Sequence, residues 1–97
     1  MAEIVFESPR FGSEGDERAL FEWLERIEGV TNVMGHGTKL TIEISEPVSD
    51  SALRELIGAF SRYGIEMSRL ARLETDGNRE WFRAPGAFWH DEVFGRG

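Results

Sequence analysis

The chain has 97 residues, of which 40% are apolar and 30% are charged, a composition typical of one folded domain. It contains no cysteine, which excludes disulfides, thiolate metal sites and cysteine nucleophiles. The net charge of −7 disfavours nucleic acid and anionic membranes as partners. No apolar run is long enough to cross a bilayer, and the amino terminus is unlike a secretory signal, so we expect a cytoplasmic protein.

The beginning of the chain predicts a strand followed by an amphipathic helix. Ile4 and Phe6 alternate with polar residues, which is typical of a half-buried strand. Ser13 is placed as the N-cap of the helix, and Gly29 as the residue that ends it. The apolar stripe of this helix comprises Leu20, Trp23, Leu24 and Ile27.

The acidity of the chain is concentrated in this same region. Residues 1–28 hold eight acidic side chains and three arginines, a net charge of −5. On the polar side of the helix, Arg18, Glu22 and Arg26 have the spacing of i,i+4 ion pairs. The sequence therefore predicts a strongly acidic first helix whose charges are partly paired.

The middle of the chain predicts a hairpin and a second helix. Val30 to Met34 indicates a strand, and Gly35-His36-Gly37 is typical of a hairpin turn. The next strand has alternating apolar residues, and the second helix begins within residues 47–50 and ends at Gly64. The apolar positions of these two elements are Leu40, Ile42 and Ile44, and Leu53, Leu56, Ile57 and Phe60.

The segment from Ile65 to Leu73 predicts a last strand, with a bulge between Met67 and Leu70 where the alternation slips. The order is then βαββαβ, and two right-handed crossovers place both helices on one face of the sheet. We therefore expect an α+β fold, a ferredoxin-like sandwich with a four-stranded antiparallel sheet. It occupies residues 1–75, and an aromatic tail of residues 76–97 packs on the same domain.

The span from Ile27 to Leu70, with Gly29-Val30-x-x-Val33 after the first helix, resembles the second half of heavy-metal-associated domains. Those domains bind metal through paired cysteines before their first helix. The corresponding loop here, Arg10-Phe11-Gly12-Ser13, contains no cysteine. The resemblance therefore implies the fold and implies nothing about metal transport.

A shorter stretch, Leu56-Ile57-x-x-Phe60-x-x-x-Gly64-Ile65, resembles the helix-to-strand segment of ACT regulatory domains. In that family the segment belongs to the first helix, whereas here it follows the second. The resemblance implies an amino-acid-binding regulatory domain, dimeric through sheet edges, as an alternative function.

The sequence carries no recognisable catalytic or metal-binding pattern. His36 lies between two glycines and is interpreted as a turn residue, and His90 and Asp91 are helical neighbours that cannot converge on one metal ion. No nucleophile elbow is present. On the outer face of the sheet, Lys39, Thr41 and Glu43 provide no ring on which a base stacks. We expect no metal, no cofactor and no nucleic acid.

The aromatic tail has two interpretations. Trp81, Phe82, Phe88, Trp89 and Phe94 lie within the last seventeen residues. In the first interpretation the core is extended over the flank of the first helix beside Phe21 by Trp81, Phe82, Trp89, Val93 and Phe94. In the second, some of them form an anchor for a protein partner or a second copy, because tryptophan and arginine dominate such interfaces.

The best-supported hypothesis is a non-catalytic, acidic protein-binding module, an inhibitor or regulator of a basic protein. Small acidic bacterial inhibitors such as immunity proteins share this composition. The predicted partner-binding residues are Glu25, Glu28, Trp81, Arg83, Trp89 and Phe94, with Arg96 of the same chemistry. The alternatives are the ACT-like regulatory domain and a monooxygenase-type enzyme of ferredoxin-like fold.

Overall fold

Two helices pack on one face of a three-stranded antiparallel sheet in the computed structural model, which describes residues 1–95. The strands are β1 (Ala2–Glu7), β2 (Val30–His36) and β3 (Lys39–Ile44), in the order β1–β3–β2. The helices are α1 (Glu14–Arg26) and α2 (Asp50–Tyr63), followed by a 3-10 helix (Met67–Leu73) and by the short helices α3 (Arg79–Phe82) and α4 (His90–Phe94).

The sheet has one apolar and one polar face because its side chains alternate. β1 pairs with β3 from Ala2 opposite Ile44 to Glu7 opposite Lys39. The buried face comprises Ala2, Ile4, Phe6, Leu40, Ile42 and Ile44. These residues form one core with the buried side chains of both helices, so both helices lie on the predicted side of the sheet.

Each main helix begins at a serine that satisfies a free backbone N–H. The Ser13 hydroxyl accepts a hydrogen bond from the N–H of Asp16 at 3.2 Å, and the Ser49 hydroxyl accepts one from Ala52 at 3.1 Å. α2 ends at Gly64, whose φ of 66° is accessible to glycine at little cost. Among residues 1–95, no helix combines the length and the apolar character needed to cross a membrane.

The hairpin between β2 and β3 turns two residues later than the sequence indicated. The strands continue to His36 and Lys39, which lie opposite each other, so the loop is Gly37-Thr38. Gly37 has a φ of +64°, which a two-residue hairpin loop requires and which glycine supplies most easily. The predicted turn at Gly35-His36-Gly37 is therefore wrong in its position.

The predicted fourth strand is wrong, and with it the four-stranded ferredoxin-like sheet. Residues 67–73 form the 3-10 helix, in which Met67, Leu70 and Leu73 are buried. A 3-10 helix has three residues per turn, so side chains three positions apart lie on one face. A strand with the same sequence would bury every second residue. The interval of three, interpreted above as a slipped alternation with a bulge, is the repeat of this helix.

The tail joins the body through a closely hydrogen-bonded turn. Asn78 is 2% exposed, and its side-chain amide donates to the carbonyl of Leu73 at 3.0 Å while its carbonyl accepts from the N–H of Thr75 at 2.8 Å. Beyond this turn, Phe82 is 0% and Val93 is 4% exposed, and both belong to the main core.

The tail packs against the other side of the helical layer from the one we expected. α4 contacts the 3-10 helix, and the Arg54 guanidinium of α2 lies 4.0 Å from the Trp81 ring centre. The expectation that the tail covers α1 beside Phe21 is therefore wrong. Phe82 and Val93 of the tail join the same core as Met67, Leu70 and Leu73 of the 3-10 helix, so the tail packs beside the segment that was expected to be a strand.

These contacts predict a large difference between two phenylalanines of the tail. Phe82→Ala is expected to lower the free energy of unfolding by about 3–5 kcal/mol, because it removes a fully buried ring. Phe88→Ala is the matched control, since Phe88 is 67% exposed, and it is expected to change stability by less than about 0.5 kcal/mol. Urea denaturation measures both. Equal effects would contradict the placement of the tail.

Candidate functional site

The predicted tail residues are largely engaged in contacts within the chain. The Trp89 indole N–H donates to the carbonyl of Phe82 at 2.7 Å, and the rings of Trp81 and Trp89 meet edge to face with centres 6.1 Å apart. The Arg83 guanidinium lies 4.0 Å from the centre of the Phe94 ring. The partner-binding role of these residues stays a prediction, but their observed contacts serve the packing of the tail.

Arg83 also forms the ion pair with the shortest distance among the described residues. Its Nε and Nη2 donate to the two carboxylate oxygens of Glu74 at 2.6 and 2.8 Å. This hydrogen bonding holds the pKa of Glu74 below its usual value, with a smaller contribution from Arg79. A guanidinium that is committed to two carboxylate oxygens and stacked on a ring is poorly available to a partner.

One aromatic residue of the tail does extend into solvent. Phe88 is 67% exposed, and its ring meets the edge of Trp89 with centres 5.1 Å apart. The indole N–H of Trp81 is buried without a hydrogen-bond partner among the described residues. Arg96 lies outside the described residues.

The predicted residues Glu25 and Glu28 lie on α1 and directly after it. Both side chains are exposed. Glu28 accepts a hydrogen bond from the Ser49 hydroxyl at 3.2 Å, which connects the end of α1 to the beginning of α2. Glu25 has no ion pair within residues 1–95. These two residues are far along the chain from the tail, and no observed contact brings the two predicted groups together.

The acidic side chains of α1 are not neutralised by the rest of the described chain. The exposed carboxylates Glu14, Glu17, Glu22 and Glu25 form no ion pair there. The expected i,i+4 pairs of Arg18, Glu22 and Arg26 are not formed. Some acidic residues elsewhere are paired, as with Glu7 and Lys39 at 3.9 Å and Asp76 and Arg79 at 2.9 Å. Others, such as Glu80 and Glu92, also form no ion pair in the described chain, but they do not share one long helix.

A groove of about 600 Å³ lies between α1 and α2 and contains a fixed tryptophan. The Trp23 indole N–H donates to the Glu55 carboxylate at 2.8 Å. Its ring lies against Gly58, where an added methyl group would be 3.6 Å from the nearest ring carbon. The charged residues around Trp23 are Glu22, Arg26, Glu28 and Glu55, so carboxylates outnumber guanidinium groups three to one.

Sequence reasoning assigned Trp23 to the core and did not select Glu55. Trp23 is half-buried, and its ring lies beside Gly58 of α2. Glu55 lies 32 residues away from Trp23 in sequence, and nothing local connects the two. No local signal in the sequence marks this contact.

The remaining candidates provide no catalytic arrangement in the described part of the chain. His36 is exposed at the end of β2, and His90 pairs with Asp91 at 3.2 Å. Within residues 1–95, no three histidine, aspartate or glutamate side chains are grouped to hold a metal ion. The outer face of the sheet carries Lys39, Thr41 and Glu43 at the positions predicted for it.

Comparisons of this chain with models of protein families, with curated proteins and with solved structures found no match.

The Glu74–Arg83 pair predicts an acid-dependent loss of stability. Because the pKa of Glu74 is lowered in the folded state, the ionised carboxylate stabilises the fold at neutral pH. This contribution is lost as the pH falls below the pKa of Glu74 in the unfolded chain and through its lower pKa in the folded protein. Glu74→Gln is therefore expected to be less stable than the natural protein at pH 7, with a difference that disappears in acid. Urea denaturation over a pH series measures it.

Asp76→Asn is the matched control. Its side chain is 96% exposed, whereas that of Glu74 is 14% exposed, and an exposed ion pair contributes little. A pH-dependent loss of the same size in Asp76→Asn would contradict the assigned role of Glu74.

Proposed function

We propose that this protein is a non-catalytic binding module for a basic protein surface, and that α1 and the groove between α1 and α2 form its binding face. The observation that carries the proposal is that four exposed carboxylates without ion pairs in the described chain, Glu14, Glu17, Glu22 and Glu25, lie on the single helix α1. Glu25 and Glu28 remain predicted binding residues. The other binding residues are Trp23, Glu22 and Glu55, in place of the residues of the tail.

Unpaired carboxylates on one helix favour a cationic partner. Glu14, Glu17, Glu22 and Glu25 lie on a 13-residue helix that also carries Arg18 and Arg26, so acidic side chains outnumber basic ones on its exposed surface. Such a surface attracts a basic protein from a distance and raises its association rate. Since none of these four carboxylates has to break an internal ion pair, binding carries no cost for losing one.

The groove adds the chemistry that recognises an individual side chain. A lysine or arginine of the partner that enters it meets the Trp23 ring and the carboxylates of Glu22, Glu28 and Glu55. A cation is attracted both to the face of an indole and to carboxylate oxygens. Trp23 is held in place by Glu55 and by the surface of Gly58, so little conformational freedom is lost on binding.

Charge reversal on α1 tests this proposal. The immobilised protein captures partners from the lysate of its own cells at low salt, and the captured protein is purified and titrated. The double variant Glu22→Lys and Glu25→Lys is expected to slow association at least about tenfold, because electrostatic steering is lost. Stopped-flow measurements at several salt concentrations give the association rates, which are expected to fall with salt for the natural protein.

The matched control reverses two exposed glutamates of the tail, Glu80→Lys and Glu92→Lys, and changes the net charge equally. This control is expected to retain most of the association rate. The proposal is contradicted if both double variants lose the same rate, or if binding does not depend on salt.

A further inference from the structure

The replacement of the fourth strand by a 3-10 helix leaves one edge of β1 without a neighbouring strand. The sheet order β1–β3–β2 places β1 at an edge. A groove of about 430 Å³ runs along this edge, lined on one side by residues 3–7 of β1 and on the other by Glu66, Arg69 and Arg72 of the segment around the 3-10 helix. Lys39 of β3, whose exposed side chain lies 3.9 Å from the Glu7 carboxylate, also lines it.

The backbone groups that face this groove follow from the pairing of β1 with β3. The N–H of Ser8 donates to Thr38 at 2.8 Å, in the same register as the strands. Backbone groups of successive residues point to opposite sides of a strand. Ile4 and Phe6 therefore bond toward β3, and Glu3, Val5 and Glu7 direct their N–H and carbonyl groups outward.

Most of these outward groups have no protein partner in the described chain. The carbonyl of Glu3 accepts a hydrogen bond from the Arg72 guanidinium at 2.8 Å. The other outward groups, on Glu3, Val5 and Glu7, have none there. Arg72 shows that a hydrogen-bond donor can reach this edge, and it confirms the outward direction of the odd-numbered residues.

The two arginines are spaced to match the strand beside them. Arg69 and Arg72 are one turn apart in the 3-10 helix, which is a rise of about 6 Å. Two residues of a strand span about 6.6 Å. Arg72 reaches the level of Glu3, and Arg69 lines the same groove. Both belong to the 3-10 helix, whose buried residues join the core on the helical face of the sheet. Arg69 is exposed and has no ion pair within residues 1–95.

A second copy of this chain is a poor occupant of the edge. In a twofold pairing of β1 with β1 centred on Val5, Glu3 of each copy lies opposite Glu7 of the other. Like charges directly opposite each other destabilise a pair of strands. An occupant with basic side chains opposite Glu3 and Glu7, and carboxylates directed toward Arg69 and Arg72, has the complementary pattern.

We propose that the free edge of β1 is a docking site for an extended segment of another protein, which joins the sheet as a fourth strand. Main-chain hydrogen bonds to Glu3, Val5 and Glu7 provide the pairing. Alternating basic and acidic side chains of the segment provide the specificity, and Arg72 turns from the Glu3 carbonyl to a carboxylate of the segment. This site is separate from the binding face proposed on α1.

Two peptides of identical composition test the proposal. The probe, acetyl-Thr-Lys-Glu-Val-Glu-Lys-Thr-amide, places lysines opposite Glu3 and Glu7 and glutamates toward the arginines. The control, acetyl-Thr-Glu-Lys-Val-Lys-Glu-Thr-amide, reverses each charge. Both have no net charge, so a general attraction to the acidic protein affects them equally. The probe is expected to bind at least about tenfold more tightly in an NMR titration of the full chain.

Amide hydrogen exchange gives a readout specific to strand addition. The probe is expected to slow exchange at Glu3, Val5 and Glu7 and to leave Ile4 and Phe6, which already bond to β3, unchanged. Arg69→Glu is expected to weaken probe binding about tenfold. The matched control Arg62→Glu, at an exposed arginine of α2 outside the groove, is expected to leave it unchanged.

Equal binding of the two peptides, or protection that does not alternate along β1, would overturn the proposal. So would tighter probe binding to Arg69→Ala, because that result assigns Arg69 to covering the edge. Without peptide, the amides of Glu3, Val5 and Glu7 are expected to exchange rapidly at every protein concentration. Sedimentation of the same samples shows whether any protection of these amides accompanies a dimer. Such a dimer would assign the edge to a second copy.

Discussion

The burial of one side chain in every three between residues 67 and 73 determines how the sheet ends. Met67, Leu70 and Leu73 reach the core together only when the backbone turns once every three residues. The segment then lies beside the sheet as a helix and provides no backbone pairing for β1. The same segment also contacts α4. The unpaired edge of β1 and the position of the aromatic tail therefore both depend on this 3-10 helix.

Charge is distributed over the fold in two different ways. In the turn and tail, carboxylates meet guanidinium groups, as in the two hydrogen bonds between Glu74 and Arg83, and the pairs hold segments together. On α1 the carboxylates face solvent without such partners in the described chain. The attachment of α1 to the body comes from the burial of Leu20 and Leu24. Since its exposed carboxylates are not used to hold another segment of the described chain, they are available for recognition.

Much of the body could be predicted from the sequence because its periodicities are strong. The alternation of Leu40, Ile42 and Ile44 and the stripe of α2 correspond to the buried residues of those elements. The prediction failed between Ile65 and Leu73, because a repeat of three residues lies between the repeat of two in a strand and that of 3.6 in an α-helix. The packing of the segment decides which structure it adopts. The interhelical groove was not predicted because Trp23 and Glu55 meet through tertiary structure. The predicted position of the tail was wrong because it was derived from a fold in which residues 65–73 form a fourth strand.

The turn that joins body and tail admits a single kind of side chain at position 78. Asn78 offers a donor to the Leu73 carbonyl and an acceptor to the Thr75 N–H, and it does so in a site closed to water. Aspartate has nearly the same shape but only acceptors, so it would set oxygen against oxygen and bury a charge. Serine is too short to span both groups. The junction is thus specified by the two ends of one carboxamide, independently of the apolar packing on either side.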